Sequence, residues 1–143
     1  NLAPPLPAPA TTNFADALAN LRRIARPGSS VFIISDFRGA DEEHAREQLF
    51  QLAQHIEITA IACHDPLEAE LPRAGRYAVT DGNARSELDT ADKKLRTSYS
   101  ERARRQRELL SSDLLRLGIP LLQAATNRAP FSVLQQFYGD PRR

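Results

Sequence analysis

Four consecutive apolar residues, Val31-Phe32-Ile33-Ile34, stand between two segments of helical periodicity, and this alternation limits the fold more than any other feature of the chain. A short β-prone run that is apolar at every position suits a strand covered on both faces, as in a parallel sheet flanked by helices. Upstream, Phe14, Leu18, Leu21 and Ala25 recur at spacings of three and four. They predict a helix from Phe14 to Arg26, capped by Thr12 or Asn13 and stopped by Pro27-Gly28. Downstream, Asp41 is placed to cap a second helix, with Glu42 and Glu43 in its first turn and a stripe of Ala45, Leu49, Leu52 and Ala53. Residues 56–62 read as a second strand.

The pattern then loosens. Pro66, Pro72, Gly75 and Gly82 surround one strand-like piece, Arg76–Val79, so residues 64–92 are expected to form a long excursion with a small hairpin closed near Asp81-Gly82. A long helix over 91–117 follows, with Leu95, Tyr99, Ala103, Gln106, Leu110 and Leu114 expected inward and Gly118 ending it. Residues 119–124 read as a third strand, for which Pro120 at its start argues an edge position or an entry point, and a short helix from Pro130 to Tyr138 closes the domain. Such alternation means an α/β fold, a short parallel sheet flanked by helices. Four prolines within the first ten residues make 1–11 an extended arm, leaving 12–143 as the folded part.

Composition narrows the function. With 41% apolar and 26% charged residues a core can form, and whole-chain disorder is excluded. No apolar run approaches the roughly 20 residues a membrane helix needs, and no basic-then-apolar segment opens the chain. Cys63 is the single cysteine, which excludes an internal disulfide and a cysteine zinc site and fits a reducing compartment. It is expected to be a small buried apolar residue. Methionine is absent even at position 1, so the chain is expected to be a processed or cut piece of something longer.

In an open parallel sheet, ligands bind beyond the carboxyl ends of the strands. That rule selects Ser35-Asp36, His64-Asp65 and Thr126-Asn127, and the loop Thr11-Thr12-Asn13 could reach the same rim. Hydroxyl and carboxylate donors favour magnesium, manganese or calcium over zinc. Cys63 and His64 are neighbours on a strand and point to opposite faces, a poor arrangement for nucleophilic catalysis. No glycine-rich phosphate loop is present. Residues 93–107 hold Lys93, Lys94, Arg96, Arg102, Arg104, Arg105 and Arg107 against one acid, Glu101. Lys93, Lys94, Arg102 and Arg105 are candidates for a basic recognition face toward an acidic partner, an anionic surface or phosphates. The plainer reading is a solvated face whose Arg stems cover apolar surface. Tyr99 is the only interleaved aromatic, which counts against nucleic acid as a partner.

Several segments together carry a resemblance. Thr12-Asn13-Phe14-Ala15-Asp16-Ala17-Leu18 and Val31–Phe37 resemble the second half of a von Willebrand factor A-type domain. With His64–Pro72, Leu88-Asp89-Thr90, Gly118-Ile119 and Thr126, the chain resembles more narrowly the bacterial domain-of-unknown-function family fifty-eight, found beside MoxR-type AAA+ ATPases. The resemblance implies the C-terminal part of a Rossmann-like three-layer domain. It also implies a metal-ion-dependent adhesion site for magnesium or manganese, with Thr12 and Asp36 among the ion's holders. The Asp-x-Ser-x-Ser segment of such sites does not occur in these residues, so tight ion binding is not expected here. Ser35, His64, Asp65 and Thr126 complete the expected rim. The implied function is non-enzymatic: a protein-interaction module working with a MoxR-type ATPase in assembly or maturation. The implied place is cytoplasmic, tethered to the inner membrane by upstream helices. A strand at 31–35 deprived of its family neighbour would present an open edge, which predicts either a homodimer through it or cover borrowed from the Pro-rich arm. The residues also leave open a metal-dependent hydrolase or transferase using Asp36 and His64, which turnover abolished by Asp36→Ala would mark.

Overall fold

A computed structural model describes residues 13–80 and 84–139, so the proline-rich arm, Thr12 and the Asp81-Gly82 turn lie outside the described residues. Helix α1 (Phe14–Ile24) starts at Asn13, whose Oδ1 accepts from the amides of Ala15 at 2.8 Å and Asp16 at 3.4 Å. It ends before Arg26, because Ala25 is already extended. The chain reverses through Gly28 at φ +81°, a conformation that costs glycine nothing, and enters strand β1 (Ser30–Ser35).

Helix α2 (Glu43–Ala53) begins later than Asp41 would have it: Glu42 is the cap residue, and its side chain bonds no helix amide. Two turns account for the delay, with the Ala40 amide donating to the Phe37 carbonyl at 3.1 Å and the Glu42 amide to Gly39 at 3.2 Å. They carry the chain past Asp41 before helical backbone starts. Strand β2 (Glu57–His64) runs further than expected, because Cys63 and His64 pair with Ala124 and Ala125 of strand β5 (Leu121–Ala125). The three strands form one parallel sheet in the order β1-β2-β5. Pro120 stands just before the edge strand β5, accepting at its carbonyl from the Ala60 amide at 2.9 Å while offering no donor of its own.

Both crossovers step the same way across the sheet, and right-handed connections then place their helices on one face. The core follows from this. Ile58, Ala60 and Ala62 of β2 meet Ala15 and Leu18 of α1 and Ala45, Leu49 and Leu52 of α2 in a single buried cluster. Leu114 reaches the same cluster from helix α4 (Lys93–Arg116). Val31 and Ile33 of β1 pack against it.

The other face of β1 departs from the two-sided cover that its sequence predicts. Phe32 is 53% exposed and Ile34 67% exposed. Strand β1 pairs only with β2, so its far edge has no strand partner among the described residues. Helix α5 (Pro130–Tyr138) lies against β5 at the opposite edge and does not shelter them.

The excursion contains helix α3 (Pro66–Ala69), a single turn that the sequence pattern does not announce. Asp65 caps it, accepting from the Leu67 amide at 2.8 Å, and Pro66 takes the first helical position. Strands β3 (Arg76–Thr80) and β4 (Arg85–Asp89) form an antiparallel hairpin whose base is pinned by the fully buried Thr90. The Thr90 hydroxyl donates to the Arg73 carbonyl at 2.8 Å and accepts from the Gly75 amide at 3.0 Å.

Asp92 caps α4, but the inward stripe expected on this helix is only partly realised. Leu114 is buried, Leu95, Tyr99, Ala103 and Leu110 are half-buried, and Gln106 is exposed. The N-terminal part of the helix stands off from the sheet over the strand ends, propped on α3 by the Tyr99 hydroxyl, which donates to the Leu67 carbonyl at 3.3 Å. Between Tyr99 and Leu110 the stripe offers only Ala103 and Gln106, which have little apolar area to draw the helix down. No helix among the described residues is long and apolar enough to cross a membrane.

Candidate functional site

Because the sheet is parallel, Ser35, His64 and Ala125 end at one rim, the side from which α4 stands away. The turn leaving β1 is strained. Phe37 has φ +56°, a left-handed value that a bulky side chain adopts only when its surroundings enforce it. Two contacts enforce it here. The Phe37 ring is buried against Phe14, with centroids 5.5 Å apart, and its amide donates to Ser35 Oγ at 3.0 Å.

This turn sets the direction of Asp36. Its Oδ1 accepts from the Arg38 amide at 3.2 Å, and its Oδ2 lies 3.2 Å from Arg38 Nε. Arg38 also approaches Glu68 of α3 at 3.9 Å. All three side chains are half or more exposed, or nearly so, and such pairs contribute little stability. Asp36 therefore serves as a loop carboxylate that closes its own turn.

At the next strand end, Asp65 and Thr126 come together. Thr126 Oγ1 donates to Asp65 Oδ2 at 3.2 Å, and the Thr126 amide donates to the His64 carbonyl at 3.0 Å. The other Asp65 oxygen caps α3, so both are engaged. His64 is half-buried, and its Nδ1 is buried without a hydrogen-bond partner among the described residues. Of the two ion holders that the resemblance implies, Thr12 lies outside the described residues and Asp36 is held by Arg38. The described residues gather no group of three His, Cys, Asp or Glu side chains that could hold an ion, so the donor set present does not make a metal cage.

A family model, Protein of unknown function DUF58, matches residues 1–109. The chain belongs to the DUF58 family. No curated protein and no solved structure matches it. The matched stretch of this DUF58 chain carries the Asp36 and Asp65 strand ends and the first part of α4, whereas β5 and Thr126 lie beyond it.

The stand-off of α4 leaves this DUF58 domain a cavity of about 490 Å³ between the helix and the strand ends. Leu49, Ala62 and Leu114, all buried, form its floor. Asp36 and His64 line it, as does Cys63, which is half-buried and not the buried apolar residue expected. Arg46 and Asp113 line it as well, bonded at 2.8 Å, and tie α2 to α4. Arg102 lines the cavity although it is exposed, and Lys93, Lys94 and Arg105 are exposed elsewhere on α4. Lys93 and Arg102 are about half a turn out of phase on the helix, so the basic candidates divide between two surfaces. Arg107 also lines the cavity and was not among those candidates; its place beside Gln106, which the helical period alone sets inward, was the available signal. Phe37 carried no such signal, since an aromatic residue in the left-handed region cannot be read from its neighbours.

Proposed function

We propose that this DUF58 domain is a non-enzymatic protein-binding module that docks a partner polypeptide on the edge of β1 that has no strand partner among the described residues. The observation that carries the reading is the pairing of that edge with the exposed Phe32 and Ile34 beside it. An unpaired strand edge offers a row of backbone donors and acceptors to an added strand, and alternate side chains supply the apolar contact. Two further features support it. The Asp36 carboxylate is bound to Arg38, and His64 Nδ1 has no partner, so neither belongs to an activated nucleophile–base pair among the described residues.

The partner in this reading is the one the family resemblance implies, a MoxR-type AAA+ ATPase, with the module serving assembly or maturation of other proteins. When that partner is absent, a second copy of the chain pairs through the same edge. The test is calorimetric titration of a purified MoxR-type ATPase with the wild-type chain and with Phe32→Ser/Ile34→Ser. Covering two side chains that are 53% and 67% exposed contributes about 2–3 kcal/mol, so the variant binds roughly 30- to 150-fold more weakly. Equal affinity of the two proteins would overturn the reading.

A further inference from the structure

The cavity beneath α4 is chemically two-sided. Its floor is apolar, formed by Leu49, Ala62 and Leu114. Its charged groups are unevenly satisfied. Arg38 pairs with Asp36 and Glu68, and Arg46 pairs with Asp113. That leaves Arg102, Arg107 and Asp41 as the charged lining side chains with no ion-pair partner among the described residues. The lining as a whole balances four arginines with four acids, but two of those acids share Arg38, so its unpaired groups are two guanidiniums and one carboxylate; His64, whose Nδ1 has no partner among the described residues, belongs to the same lining. Arg107 is already half-buried, and a guanidinium drawn partly out of water is stabilised by an acceptor, best of all an anionic one.

Position and size agree with this chemistry. The cavity opens at the carboxyl ends of parallel strands, where α/β folds take their ligands. Its volume of about 490 Å³ lies within the usual span of small-molecule sites. Arg102 and Arg107 are five residues apart on one helix, about 140° around its axis, so they flank the stripe that faces the floor from either side. An occupant with an acidic head at the arginines and an apolar body on the leucines satisfies both halves at once.

We propose that this cavity binds a small single-chain organic anion, with its carboxylate or phosphate head held by Arg102 and Arg107 and its apolar chain lying on Leu49 and Leu114. The site is separate from the β1 edge and stands or falls without it. The experiment is calorimetric titration of the full chain with octanoate, 1-octanol and inorganic phosphate as probes, repeated on Arg102→Gln/Arg107→Gln, Leu110→Trp and Phe32→Ser/Ile34→Ser. Leu110 lines the cavity, and a Trp there occupies it.

Octanoate binds the wild type one to one and at least tenfold more tightly than either 1-octanol or phosphate. The double arginine variant, with an unchanged melting temperature, loses that preference. Leu110→Trp loses binding, and Phe32→Ser/Ile34→Ser retains it. Four results would each overturn the proposal: no octanoate binding to the wild type, equal binding of 1-octanol, phosphate binding as tightly as octanoate, or a preference that survives in the arginine variant. Loss of octanoate binding in Phe32→Ser/Ile34→Ser would do the same, by placing the ligand on the sheet face.

Discussion

Replacing Phe37 by alanine and by glycine separates two terms that the native turn sets against each other. The ring is 6% exposed, packs on Phe14 at 5.5 Å and sits on a backbone at φ +56°. Phe37→Ala removes the packing and keeps the strained backbone, at a cost of about 3–5 kcal/mol. Phe37→Gly loses the same ring but enters the left-handed region freely, which recovers about 1–2 kcal/mol. Against this stands the ordinary entropic penalty of glycine relative to alanine, about 0.4–1 kcal/mol. The glycine variant should therefore be the more stable of the two, by up to about 1.5 kcal/mol. Phe14, in the first turn of α1, is the control: there glycine should be worse than alanine by about 1 kcal/mol. The chain has no tryptophan, so urea unfolding is followed by circular dichroism at the helix band, with midpoint and slope fitted separately. The difference between glycine and alanine should change sign between positions 37 and 14. If Phe37→Gly falls below Phe37→Ala by the margin seen at position 14, the turn stores no strain and the argument for an enforced Asp36 geometry fails.

Gln48 is 6% exposed and its Oε1 has no hydrogen-bond partner among the described residues, so Gln48→Leu should raise stability by about 1 kcal/mol in the same assay; a loss of that size would mean the amide is satisfied. Thr90→Val removes the hydroxyl that joins Arg73 to Gly75 and should cost about 1–3 kcal/mol, with the hairpin amides gaining most in hydrogen exchange. Sedimentation velocity at high micromolar concentration should show the wild type as dimer and Ile34→Lys as monomer with an unchanged melt, because Ile34 is 67% exposed within one copy.

What the sequence revealed and what it hid divide along the range of the interactions involved. Helix α5 was legible to its end residues, and β1, α2, β2 and β5 as elements, because periodicity and proline placement are local signals. The stand-off of α4 was not. Tyr99, Ala103 and Gln106 keep the helical period, yet period says nothing about whether enough apolar area exists to close the gap. The apolar run of β1 was equally ambiguous, since four apolar residues describe a surface and not what covers it. At the rim, the parallel-sheet rule located Asp36, His64, Asp65 and Thr126 in advance. The bond between Thr126 and Asp65 spans 61 residues, and only the closed sheet places the two together. Arg107 joined Arg102 at the cavity for the same reason: a basic run has a charge, but its division between faces depends on how the helix is seated.

The most direct test of the account is hydrogen–deuterium exchange across the whole chain, alone at low concentration and with a purified MoxR-type ATPase. Docking by strand addition predicts new protection confined to β1, in peptides spanning 30–35, with the β3–β4 hairpin unchanged. Protection that falls on α4 while β1 exchanges as before would contradict the account and move the interaction surface to the basic helix.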